Sequence, residues 1–389
     1  MVVGALGFGR FGYGMLLPSM QLGLGLAHDE TGIIASSNMF GYFTASMFAG
    51  MMASRYGPRL IISISLLWAG LTMALTSLAG GVGSLILLRF LTGVGSAGAN
   101  VSIMGLSSSW FSSGYRGLVN GILVGGSGLA IVFVGWLVPT MDQLYMYCGW
   151  RISWFVMGFA TLVFGILAAL FIRNHPSEKG LTMIGRGKLR KENEVCANGN
   201  VIGIRNIFLD ANMRILCLAY FCFGISSIIY TTYFVNYMVG ERNIDQIMAG
   251  NIWSLVGLVS IGSAVIWGRF SDCFGRPLAL SIIFVLQAIS YFLPIISPIV
   301  LFMWVSGIVF GFTAWSIPGI VSACCGDLVG PKNSSAALGF LTFFFGLGTV
   351  FGPSLAGYIR ELTYSFSLAF FLATLFSCFG GIISMRIRI

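Results

Sequence analysis

Twelve runs of mostly apolar residues divide this 389-residue chain, at roughly 3–26, 33–53, 60–78, 83–107, 118–138, 150–172, 213–238, 247–267, 278–296, 299–322, 334–358 and 364–385. A helix that crosses a bilayer needs ~20 such residues, and in lipid every backbone N–H and C=O must be bonded inside its own segment. The runs therefore predict an all-α membrane protein of twelve transmembrane helices. A chain that is 57% hydrophobic and only 8% charged carries more apolar surface than a soluble core of this size can use. Its 53 glycines suit helices whose backbones touch.

Charge orients the runs. Counting loops from a cytoplasmic N-terminus, the inner side receives Arg55, Arg59, Arg116, Arg173, Lys179, Arg186, Lys188, Arg190, Lys191, Arg205, Arg214, Arg269, Arg276, Lys332, Arg386 and Arg388. The outer side receives only Arg151, Arg242 and Arg360. Basic residues gather on the cytoplasmic side of membrane proteins, so both termini are expected inside a bacterial inner membrane. The net charge of +9 is thus read as topology, with no nucleic-acid partner. One connection is long: 174–211, with its basic run Arg186–Lys191, is expected to be a cytoplasmic linker. It separates two six-helix bundles, 1–173 and 212–389.

The bundles look alike at a fixed offset of 218 residues. That shift sets Gly50-Met-Met-Ala-Ser-Arg-Tyr-Gly57-Pro-Arg59 on Gly268-Arg-Phe-Ser-Asp-Cys-Phe-Gly275-Arg-Pro277, Gly93 on Gly311, and Gly128 on Gly346. Internal repeats of this kind are common in transporter folds.

On these residues the chain resembles the major facilitator superfamily of secondary transporters. The family's loop motif, Gly-x-Leu-x-Asp-Arg-x-Gly-Arg-Arg, is matched at Gly268, Asp272, Gly275 and Arg276, and more loosely at Gly50, Arg55, Gly57 and Arg59. Its fourth-helix motif resembles Arg89-Phe-Leu-Thr-Gly93-Val-Gly95. Ser54 stands where the family usually has Asp, and Cys273 where it usually has Arg, so each loop keeps part of the family's gating relay. The opening pattern Gly-Phe-Gly-Arg-Phe-x-Tyr is similar to a group of little-characterised bacterial members. The resemblance implies a central cavity between the halves, lined by helices one, four, seven and ten.

Arg10 is the most informative residue on those helices. A cation inside a bilayer costs at least ~2.5 kcal/mol and usually faces a cavity or partner. Gln21 lies eleven residues on, on the same face of an α-helix. Helix four adds Arg89 and Asn100; Tyr230 and Trp315 would wall the remainder of a site. All twelve acidic residues and both histidines fall in predicted loops or at helix ends, leaving the arginines without a built-in counter-ion. The expected cargo is a small organic anion, a carboxylate, moved by alternating access through a monomer, with a coupling proton or counter-substrate as partner. Arginine keeps its proton, so a coupling proton would ride elsewhere, for example on Asp29. The alternatives are efflux of apolar or drug-like compounds and a non-transporting sensor or assembly factor. No cofactor, metal or catalytic residue is expected: the chain shows no phosphate-binding glycine loop, and the adjacent Cys324 and Cys325 lack ligand-spaced neighbours.

Overall fold

The computed structural model describes residues 1–184 and 210–387; the run Arg186–Lys191, Arg205 and Arg388 lie outside the described residues. The chain forms α1 (π-helical over Val3–Phe11, α-helical over Gly12–Leu24), α2 (His28–Tyr56), α3 (Pro58–Thr76), α4 (Val82–Trp110), α5 (Ser113–Tyr145) and α6 (Gly149–Phe171). After the linker come α7 (Ala211–Gly240), α8 (Gln246–Ser260 and Ser263–Phe274), α9 (Arg276–Ile296), α10 (Val300–Val329), α11 (Ala337–Thr363) and α12 (Ser367–Ser384). Among the described residues nine helices are long and apolar enough to span a bilayer. The two parts of α8, bent by 43° at Ile261–Gly262, make a tenth span. The remaining two, α1 and α2, are shortened in α-helical length or diluted by polar residues.

Large apolar side chains point outward. Trp136 is 62% exposed, Leu170 58%, Leu301 63% and Phe351 59%, which is the surface of a protein solvated by lipid. The linker end carries the α2–α3 and α8–α9 loops; the far end carries the α1–α2 and α7–α8 connections. Asp142, expected beyond the fifth run, lies on the last turn of α5, because that helix continues through Pro139 to Tyr145.

The 218-residue repeat is visible in the packing. Gly93 of α4 lies against the Asn38 carbonyl of α2, and Gly311 of α10 lies against the Val256 carbonyl of α8. Asn38 and Val256 are themselves 218 residues apart. Each pair brings two backbones to a distance that a Cβ would block. Gly57 and Gly275, ending α2 and the second part of α8, have φ of +88° and +95°, a conformation that glycine alone adopts without strain. The two halves thus share one architecture. They meet along α5 with α8 and α2 with α11. A Cβ on Gly128 would sit 2.5 Å from the Gly257 carbonyl oxygen, and one on Gly257 would sit 2.6 Å from that of Gly128.

Candidate functional site

Arg10 lies in the π-helical stretch of α1, a wider turn that is rare and concentrates at functional sites. Glycines make room for it: Gly7 abuts the Ala130 methyl of α5, and Gly9 faces the Ser96 hydroxyl of α4 at 2.6 Å from a Cβ position. The Arg10 guanidinium carbon lies 5.4 Å from the Phe11 ring, 5.9 Å from Tyr42 and 5.8 Å from Phe345. Tyr42 belongs to the first half and Phe345 to the second, so this cation sits where both halves touch it. Its Nε is buried without a hydrogen-bond partner, and it is in none of the ion pairs among the described residues. Ring faces return ~0.5–2 kcal/mol each to a desolvated cation, but they accept none of its N–H bonds.

Arg89 leaves its Nε buried and unpartnered as well, but unlike Arg10 it makes one hydrogen bond. Its Nη1 donates to the Gly9 carbonyl at 2.8 Å, and its charge lies over the rings of Tyr13 (5.1 Å) and Trp154 (4.9 Å). This arginine clamps α4 to the π-helical segment and so holds Arg10 in place. Asn100 Nδ2 donates to the Tyr42 hydroxyl at 2.8 Å, leaving Asn100 Oδ1 buried and unpaired beside the Arg10 cage. Arg10 and Arg89 line one cavity with Tyr13, Gly14, Ala35, Met39, Thr231 and Pro353. It leaves about 10 Å³ for the centre of a water molecule, room for about one water, so the halves are closed over it.

A family described as "Uncharacterised MFS-type transporter YbfB" matches residues 1–385. The chain belongs to this family of MFS-type transporters. A hexuronate transporter of Bacillus subtilis (strain 168) is 22% identical over 391 residues, 95% of this chain and 88% of that one. A quinolone resistance transporter of Acinetobacter baumannii is 22% identical over 382 residues, 94% and 86% of the two chains. The crystal structure of the nucleoside transporter NupG superposes with a TM-score of 0.71 at 16% identity, covering 99% of this chain and 98% of that one. The MFS fold of two six-helix bundles and the role of a transporter, not an enzyme, follow from this membership.

In this MFS-type transporter the cavity walls come from α1, α2, α4, α7 and α11. From α10, the Trp315 ring packs behind Phe11 with centroids 4.7 Å apart and planes tilted by 51°, its Nε1 buried and unbonded. Tyr230 lies in the core of the second half, its hydroxyl 2.6 Å from Ser306 Oγ and its ring against Phe234, Tyr291 and Phe310. Gln21 sits at the far end, 3.0 Å from His28 Nδ1 and accepting from Asn236 Nδ2 at 3.2 Å. The structure therefore brings Arg10 and Arg89 to one cavity, places Asn100 behind the Tyr42 ring that touches Arg10, and sets Tyr230 and Gln21 apart. Tyr42 and Phe345 escaped sequence reasoning because helices two and eleven were not expected to reach the centre.

The two loops expected to gate are tied within their own halves. Arg276 pairs with Asp272 and, at 3.1 Å, with Asp327 of α10. Arg59, whose loop has Ser54 in place of an acid, donates instead to the Ala169 carbonyl of α6 at 3.0 Å. Arg55 lies over the Tyr56 ring, and Gly50 and Gly268 have open space or only loose contact around their Cα atoms.

Proposed function

We propose that this transporter carries a small organic anion, a carboxylate, whose charged group binds Arg10, through the bacterial inner membrane by alternating access. The observation that carries the reading is the unbonded Arg10 guanidinium, touched by rings from both halves. A carboxylate arriving there receives N–H donors that nothing else satisfies, while Asn100 Oδ1 accepts from a neighbouring hydroxyl of the same cargo. The similarity to a hexuronate transporter supports this class, since a hexuronate carries one carboxylate among hydroxyls. The moving bodies are residues 1–173 and 212–389, joined by 174–211, with that linker and both termini in the cytoplasm and a single chain as the working unit. The loops around Gly50–Arg59 and Gly268–Arg276 are the gating elements of the linker end in this reading.

The test is thermal stabilisation of the purified protein by a panel of carboxylates, sulfonates and amines, followed by uptake of the stabilising compound into proteoliposomes. Arg10→Gln should weaken binding about 10- to 150-fold, the worth of a charge-assisted hydrogen bond. Wild-type uptake of every carboxylate by that variant would end the proposal. A second reading, extrusion of drug-like compounds, draws on the quinolone resistance relative. The resistance profile of a deletion strain separates the two.

A further inference from the structure

At the far end, Asp142 of α5 joins the two halves. Ser19 Oγ of α1 donates to Asp142 Oδ2 at 2.5 Å, and Gln246 Nε2, the first residue of α8 in the other half, donates to the same oxygen. Gln246 Nε2 also reaches Ser19 Oγ at 3.1 Å. The other carboxylate oxygen, Oδ1, is buried and has no partner.

No cation among the described residues pairs with this carboxylate. From α6, Arg151 donates to the Ser77 and Ala79 carbonyls at 2.7 and 2.9 Å and lies over Trp150. From the α8 end, Asp245 caps its own helix by accepting from Ile247 N–H at 3.0 Å. Glu241 is held by Arg360 at 2.9 Å. On the chain just after Asp142, Tyr145 and Cys148 are exposed. From α1 only the uncharged Ser19 reaches it. Asp29 is a weaker candidate for a proton carrier, since its Oδ1 accepts from the Glu30 N–H at 2.8 Å and it bridges nothing between halves.

We propose that Asp142 is a proton-binding latch whose protonation sets how readily the far end closes. An ionised carboxylate with one oxygen buried and unbonded is costly, whereas the neutral acid leaves only an unbonded hydroxyl. Separation of α5 from α8 breaks the Gln246 bond to Oδ2 and opens the carboxylate to water, which favours the anion. Protonation of Oδ1 from the far-side water therefore closes the far end, and reopening releases the proton to that water. The closed state is favoured at low pH and lost as pH rises.

The experiment places spin labels at Leu144→Cys and Met248→Cys, one in each half, after Cys148, Cys196, Cys273 and Cys378 are changed to Ser. In the otherwise wild-type protein the long-distance population should grow as pH is raised from about 5 to about 8. Asp142→Asn should stay at the short distance throughout, and Asp142→Glu should keep a pH response with a moved midpoint. A wild-type distance indifferent to pH, or a response retained by Asp142→Asn, overturns the proposal. This arm needs no cargo and so stands or falls apart from the anion reading. In proteoliposomes loaded with a carboxylate that stabilises the protein, the exchange rate of the wild type should change with far-side pH between about 5 and about 8, and Asp142→Asn should make it indifferent to that pH. An exchange rate of Asp142→Asn that still follows far-side pH would also overturn it.

Discussion

Two arginines that look equivalent in sequence have opposite roles in the structure. Both stand in apolar runs, and both were legible there as costly charges. Which one is bonded was not, because the acceptor for Arg89 is a backbone carbonyl of Gly9, 80 residues away. Arg89→Met should lower thermal stability by roughly 3 kcal/mol, the loss of a charge-assisted bond and two ring contacts. Arg10→Met removes an unbonded buried charge, so it should leave the melting temperature unchanged or raise it while abolishing carboxylate-induced stabilisation. Thermal unfolding of both variants checks the order, and a larger loss for Arg10→Met would refute it. Tyr42→Phe frees Asn100 Nδ2 and should lower affinity for hydroxylated carboxylates more than for plain ones, by about tenfold, measurable by titration.

At the scale of helices, glycine spacing announced close packing but not the partners. The repeat aligns Gly128 of α5 with Gly346 of α11 without naming what either touches. In the structure Gly128 of α5 meets Gly257 of α8, and Gly346 and Gly357 of α11 meet Phe43 and the His28 carbonyl of α2. These are corresponding crossings of the repeat. A valine at Gly128 drives its side chain into the α8 backbone, so Gly128→Val should cost about 1–3 kcal/mol in the closed state and slow transport. Full-rate transport with unchanged melting would sink that expectation. The π-helical segment of α1 had no signal in a sequence read at 3.6 residues per turn. It removes Arg10 from the face that an unbroken α-helix would share with Gln21 and helps to explain why the two part company.

For the whole molecule, polar bonds between halves among the described residues include Asn236 to Gln21, Gln246 to Asp142, Ser254 Oγ to the Val132 carbonyl, and Ser354 Oγ to Ser36 Oγ at 2.8 Å, all in the part toward the far end. Toward the linker end Phe43 meets Phe343 at 5.4 Å instead. A molecule that alternates must break the first set. Ser36→Cys with Ser354→Cys, oxidised, should therefore stop transport, and reductant should restore it; continued transport by the cross-linked protein would contradict alternation at this end. The sequence alone determined the number of the helices, their division into two similar halves and the presence of charge in apolar runs, because lipid penalises each unpaired polar group whatever its neighbours are. Only the tertiary structure decided which charge is left free, which helices enclose it and which carboxylate bridges the halves. Those depend on contacts between residues far apart in the chain, where a single turn of α1 or a glycine pair sets the register, and no local pattern records them.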